Sequence, residues 1–153
     1  EFNTVRPYTY THRDSTASYS HYNQALAHPL GANFREFLVL ARYQPLHKLV
    51  IEGRLISAVF GEDRRNTNWG MNILLPYDTR EQEYGNEIAQ GIRANTLLVA
   101  VDVSYQLNRN LFLEAAYFYR YRNKESEDDA FDLRTQYFSG GVRMNIGRNR
   151  FDF

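Results

Sequence analysis

Leu97-Leu98-Val99-Ala100-Val101-Asp102-Val103-Ser104-Tyr105-Gln106-Leu107, then Asn108-Arg109-Asn110, then Leu111-Phe112-Leu113-Glu114-Ala115-Ala116-Tyr117-Phe118-Tyr119-Arg120-Tyr121-Arg122: this stretch decides the fold class. The odd positions from Leu97 to Leu107 are apolar, and the even ones bring in Asp102, Ser104 and Gln106. From Leu111 onward the odd positions are again apolar or tyrosine, with Glu114, Arg120 and Arg122 on the even side. A period of two means a strand with two different faces. The three residues Asn108 to Asn110 make a tight hairpin connection, since Asn tolerates left-handed backbone angles.

The same period extends outward in both directions. Phe138, Gly140, Val142, Met144 and Ile146 alternate with Tyr137, Ser139, Gly141, Arg143 and Asn145. Upstream, Phe37, Val39, Ala41 and Tyr43 oppose Glu36, Leu38, Leu40 and Arg42, and Gln44-Pro45-Leu46 reads as a turn, because proline does not fit a ladder. Leu49 to Phe60 alternates less cleanly, and Phe2 to His12 is a sixth candidate rich in Tyr and Thr. Glu81 to Arg93 carries Gly85 and Gly91 and reads as loop. The pattern predicts an all-β chain, an antiparallel meander of about six strands in one unit over residues 1–153, with no helix.

Composition narrows the function. The chain has 18 basic and 18 acidic side chains and no cysteine. A balanced charge argues against a nucleic-acid partner, whose footprint is basic. Without cysteine there is neither a disulfide framework nor a thiolate metal site. The longest apolar run, near Leu97 to Val101, is far short of the roughly 18 to 20 residues of a membrane-spanning helix. The opening Glu-Phe-Asn-Thr has no basic start and no apolar core, so no signal peptide is expected within it.

Loop lengths carry the next step. The connections run long, short, long, short, medium, with long loops at about 13–33 and 61–94 and an acidic one at about 123–130. In a meander this puts the long loops at one end, the asymmetry of transmembrane β-barrels. Glu52, Arg54, Asp102, Glu114, Arg120 and Arg143 fall opposite the apolar face, as in a polar lumen. Tyr117, Tyr119 and Tyr121 gather where an interfacial girdle would sit, and Phe153 ends the chain as a C-terminal assembly signal would. On this reading Leu97, Val99, Val101, Val103, Tyr117, Tyr119, Val142, Met144 and Ile146 face lipid. Patterning alone also fits a soluble β-sandwich or small ligand-binding barrel, because it does not say which face is wet. Six strands would leave two open edges, so the expectation is the C-terminal part of a larger transmembrane barrel. It places the protein in a bacterial outer membrane, long loops extracellular and C-terminus periplasmic.

Two loop segments add a resemblance. Arg6-Pro7-Tyr8-Thr9-Tyr10-Thr11-His12 with Tyr19 to Asn33, ending His28-Pro29-Leu30-Gly31-Ala32-Asn33, and Asn68-Trp69-Gly70-Met71-Asn72 with Tyr77, Arg80, Glu83 to Ile88 and Gln90-Gly91, resemble Bacteroidetes-type outer-membrane barrels of the Wzi-like capsule-assembly family, including its RemB-type gliding-motility members. The resemblance implies a large non-enzymatic barrel at the cell surface, involved in capsule polysaccharide attachment or in gliding. Alternatives are a subunit of a larger outer-membrane secretion or gliding complex, and a diffusion pore. The implied partners are outer-membrane lipid, surface polysaccharide and other outer-membrane proteins.

The candidate contact residues for a saccharide or protein partner are Trp69, Tyr77, Arg80, Tyr84, Asn86, His21 and His28. Aromatics flanked by planar polar groups suit a sugar surface. Paired carboxylates near aromatics also suit a glycosidase, but an Arg-rich loop works against the protonated carboxyl that such catalysis needs. No enzymatic activity and no cofactor are expected. His12, His21 and His28 match no zinc-site spacing, so no metal is expected either. Arg54, Arg120, Arg122 and Arg143 read as a basic stripe or as partners in ion pairs with Glu52, Asp102 and Glu114.

Overall fold

The computed structural model describes residues 1–125 and 131–145. Its strands are β1 (Phe2–Val5), β2 (Ser20–His21), β3 (Gln24–Ala25), β4 (Phe34–Leu46), β5 (Leu49–Glu62), β6 (Ile92–Asn108), β7 (Leu111–Lys124) and β8 (Phe131–Met144). Single 3-10 turns lie at Ser15–Ala17 and Tyr77–Thr79. Six strands form one sheet in the order β1-β4-β5-β6-β7-β8, and β2 pairs with β3 in a separate two-stranded ribbon. All pairs are antiparallel.

Short turns join the long strands because the local chemistry closes them. Gln44 Nε2 donates to His47 O at 3.2 Å, and Gln106 Nε2 donates to Arg109 O at 3.1 Å. Each turn is preceded by a register irregularity, between Tyr43 and Leu46 and between Gln106 and Asn108. The first absorbs Pro45, which therefore lies inside β4 and not in a turn; a bulge spares the ladder the N–H that proline lacks.

Register gives the two faces directly, since cross-strand partners share a face. One face carries Val39, Leu55, Val99, Tyr119 and Gln136 in one row and Tyr43, Ile51, Val103, Ala115 and Gly140 in another. The opposite face carries Arg42, Glu52, Asp102, Ala116 and Ser139 across the same strands, and nearer the loop end Phe34, Phe60 and Ala94. Burial is confined to this second face. Phe34, Ala58, Phe60 and Ala94 form the core, with Val5, Leu30 and Met71 packed on it. The chain segments 6–33 and 63–91 thus fold over one end of one face.

The expectation of a transmembrane barrel segment is corrected here. The main sheet is open: β1 and β8 stand at the two ends of the strand order and do not pair with each other. Alternation specifies strands and faces, but closure requires the first and last strands to meet in a fixed stagger, which a period of two does not encode. The outer-membrane location, the extracellular loops, the periplasmic C-terminus and the polar lumen all rested on closure and fall with it. No helix among the described residues is long and apolar enough to cross a membrane. Ile146, Phe153 and most of the acidic 123–130 loop lie outside the described residues.

Candidate functional site

The loop platform is built around Asn33. Its backbone is left-handed (φ 61°), a conformation asparagine tolerates better than most residues, and its side chain is fully buried. Nδ2 donates to Gly61 O at 3.0 Å, Gln90 O at 2.9 Å and Trp69 O at 3.4 Å. Oδ1 accepts from Ala89 N at 2.8 Å and Gln90 N at 3.2 Å. One side chain therefore ties the start of β4 to the end of β5 and to two points of the 63–91 segment. The approach is close enough that a Cβ on Gly61 would collide with Gln90 O.

Further ties extend outward. Asn68 is buried; its Nδ2 donates to Pro76 O at 3.2 Å and Thr79 Oγ1 at 2.9 Å, while its carbonyl accepts from Tyr8 Oη at 2.8 Å. Burial pushes the Tyr8 phenol above its usual pKa. Gln90 Nε2 donates to Trp69 O at 3.0 Å and to Asn86 Oδ1 at 2.9 Å. Neither Asn33, Asn68 nor Gln90 was singled out by sequence reasoning. Their partners are dispersed along the chain, and all three stood in the sequence only as members of the loop segments that carried the resemblance, not as contact residues.

The sequence-predicted contact residues separate into two groups. Trp69, Asn86 and His28 are structural. Trp69 is half-buried, packs against Gly91, where a Cβ would meet its ring at 2.9 Å, and has its Nε1 buried with no partner among the described residues. His28 stacks on Phe34 with ring centroids 4.3 Å apart. Its Nδ1 accepts from Leu30 N at 3.2 Å, so in the neutral ring Nε2 carries the hydrogen and donates to Glu36 Oε2 at 2.9 Å. The remaining residues are outward-facing. Arg80 lies 4.9 Å over the Tyr77 ring and donates to Glu83 Oε1 at 2.9 Å. With Arg13, Asp78 and Glu81 they line a recess of about 480 Å³. Tyr84 is 84% exposed, and His21 packs its ring 4.2 Å from Tyr22 on the separate β2–β3 ribbon.

On the polar face the charges pair. Arg42 meets Glu52 at 3.5 Å, Arg143 meets Glu114 at 2.6 Å, and Glu62 is held by Arg122 and by Lys124 at 2.9 Å. Half of the basic stripe is thereby neutralised: Arg122 and Arg143 are paired, while Arg54 and Arg120 have no ion-pair partner among the described residues. A trough of about 690 Å³ runs between Arg42, Glu52, Asp102, Glu114 and Arg143 over the small residues Ser139 and Gly141. Among the described residues no group of three or more His, Asp or Glu side chains is placed to hold a metal.

The other face is the larger feature. From β4 to β8 not one of its residues between 37–43, 49–57, 97–105, 111–121 and 134–144 is buried. It includes Leu97, Val99, Val101, Val103, Tyr117, Tyr119, Val142 and Met144, and Phe138 and Val142 are 75% and 65% exposed. Fold and surface together define an open antiparallel sheet capped by loops on one face and bare on the other. Comparison with protein-family models, curated proteins and solved structures gives no match for this chain. The resemblance to Wzi-like and RemB-type barrels is therefore withdrawn, and the capsule, gliding, secretion-subunit and pore roles drawn from it or from barrel closure are not upheld.

Proposed function

We propose that the chain is a non-catalytic interaction module that docks through the bare apolar face of its sheet onto the same face of a second copy. The observation that carries this is the extent of the face. Five strands about 4.8 Å apart, each contributing about nine residues at about 3.3 Å, cover on the order of 700 Å². A monomer's largest apolar patch is about 300 to 600 Å², and one partner's share of a stable interface is about 800 Å². Two such faces can stack about 10 Å apart, as sheets do in a sandwich, with the tyrosines of β7 filling between. The charged side chains of the polar face are mostly engaged with one another across strands, an arrangement suited to holding the sheet.

The test is the mass of the full chain in detergent-free buffer, by light scattering, for wild type and Val101→Arg. A dimer that becomes monomeric on substitution is expected. A stable wild-type monomer at tens of micromolar would overturn the proposal; so would material that stays dispersed only in detergent, which would make acyl chains the occupant.

A second reading rests on the Tyr77–Arg80–Glu83 recess. It presents an aromatic ring, a guanidinium and carboxylates side by side, and such a set suits a hydroxyl-rich ligand of the saccharide class. Calorimetric titration with neutral and acidic oligosaccharides checks it: binding weakened about tenfold or more by Arg80→Ala supports the reading, and no heat from any of the sugars removes it.

A further inference from the structure

The bare face is uneven, and its high and low places are arranged in opposite order in neighbouring rows. In the row Ala41–Gly53–Val101–Tyr117–Phe138 the side chains are small on β4 and β5 and large on β7 and β8. In the next row, Tyr43–Ile51–Val103–Ala115–Gly140, they are large on β4 and β5 and small on β7 and β8. Glycine inside a strand weakens it, and often marks a place where another surface approaches closely. Both of these glycines are open: a Cβ on Gly53 would meet nothing nearer than Ala41 O at 4.0 Å, and one on Gly140 nothing nearer than Glu114 O at 3.8 Å. Tyr43, Tyr117 and Phe138 stand out from the same face and are exposed.

Charge on this face is gathered at its loop end. There the row Arg35–Val59–Asn95–Asn123–Asp132 puts a cation on β4 and an anion on β8. Neither has an ion-pair partner among the described residues. The opposite end is apolar, with Leu113 paired to Val142 and Leu111 to Met144. A half-turn about an axis along β6 keeps every row on itself and exchanges β5 with β7 and β4 with β8. Tyr117 and Phe138 of one copy then lie over Gly53 and Ala41 of the other. Tyr43 and Ile51 lie over Gly140 and Ala115, and Arg35 faces Asp132. An axis across the strands reverses the order of the rows instead, and carries Arg35 and Asp132 toward the apolar end, where charges lose water without gaining a partner.

Resting on the docking of two copies proposed above, we infer that they associate with their twofold axis along β6, Tyr117 and Phe138 of each copy seated in the hollows at Gly53 and Ala41 of the other. The contact is isologous, so each match occurs twice. The strands of the two copies stay within about 30° of one another, as in aligned sandwiches. The two glycines are the receiving half of the interface, and Arg35 with Asp132 fixes which ends of the sheets meet.

Cross-linking of the full chain in detergent-free buffer tests the axis. The chain has no cysteine, so an introduced thiol is the only one. Stacked sheets stand about 10 Å apart, too far for a direct disulfide, so the probe is a short flexible bismaleimide. An axis along β6 sets each outward residue of that strand against its own copy, and Leu97→Cys, Val101→Cys and Tyr105→Cys should each link to themselves. Leu55→Cys should link poorly to itself but well to Tyr119→Cys when the two proteins are mixed, since these positions share a row. Any of the three β6 variants that is dimeric by light scattering yet does not self-link overturns the arrangement and leaves face-to-face docking standing. A monomeric wild type overturns both. A size exchange gives a second reading. Gly53→Leu fills a hollow and should weaken association about tenfold or more, the scale of overpacking. Adding Tyr117→Ala should restore most of the loss, and adding Tyr43→Ala should not. Within one chain Gly53 and Tyr117 stand two strands apart with Val101 between them, so rescue reports a contact between copies. No rescue, or equal rescue by both, overturns the inference.

Discussion

The loop-capped end of the polar face and the bare apolar face share the same strands but are stabilised in different ways. At the capped end Phe34 and Asn33 are fully buried, and the loop backbone is tied by side-chain hydrogen bonds reaching as far as 60 residues along the chain. On the bare face no residue is buried, although its composition is more apolar. Burial in this molecule follows from what the loops reach, and not from hydrophobicity alone. The capped end is complete in one chain, whereas the bare face gains its hydrophobic free energy only when something covers it.

The sharpest way to break that contrast is at the hub. Asn33→Ala leaves Gly61 O, Gln90 O and Ala89 N short of partners in a buried site, at about 1–3 kcal/mol for each group that water does not reach, and puts alanine in a left-handed conformation. A loss of about 4 kcal/mol is expected in urea unfolding of the full chain; a loss below about 1 kcal/mol would mean that the platform does not depend on this residue. The opposite substitution tests the other side. Tyr117→Ser on the bare face should change monomer stability by no more than about 0.5 kcal/mol, the range of surface positions, while weakening association. A large loss in the monomer would show that the face is already covered.

The smallest effect concerns the first loop. Asp14 accepts from Thr16 N at 2.9 Å and Thr16 Oγ1 at 2.8 Å, and these bonds hold its carboxyl below the usual carboxylate range. A folded pKa below the unfolded one gives a contribution that is present above the unfolded value and lost as pH falls through the folded one. The stability difference between wild type and Asp14→Asn should therefore narrow as pH is lowered below about 4, measured by thermal unfolding across that range. A difference independent of pH would remove the carboxylate from the account.

Strand patterning was the legible part of this sequence. Leu97 to Arg122 announced two strands and their faces because apolar and polar residues kept one phase throughout. The first half of β8 did not announce itself, since the phase reverses within it: Leu133 and Tyr137 lie on one face, Phe138, Val142 and Met144 on the other. Pro45 was misread as a turn because a bulge is invisible to alternation. The two open edges were legible in the count of six strands; whether those strands belong to a closed barrel was not, because an open and a closed sheet use the same period. In the loops, aromatic and charged residues drew attention to Trp69 and His28 as contact residues, while their packing against Gly91 and Phe34 carried no signal in the sequence. The amides that organise the platform, Asn33, Asn68 and Gln90, are common loop residues whose importance lies in distant partners.

The Asn33 hub also orders events in time. Its partners lie 28, 36 and 57 residues further along the chain, so it can close only after β4, β5 and the approach to β6 have been brought side by side. The hub is thus a late lock and not a nucleus, and the Asn33→Ala loss should fall on the unfolding rate while the refolding rate stays nearly unchanged. Once shut, the lock holds residues 63–91 against an assembled sheet, and their resistance to proteolysis becomes a readout of whether the strands beneath them have been correctly registered.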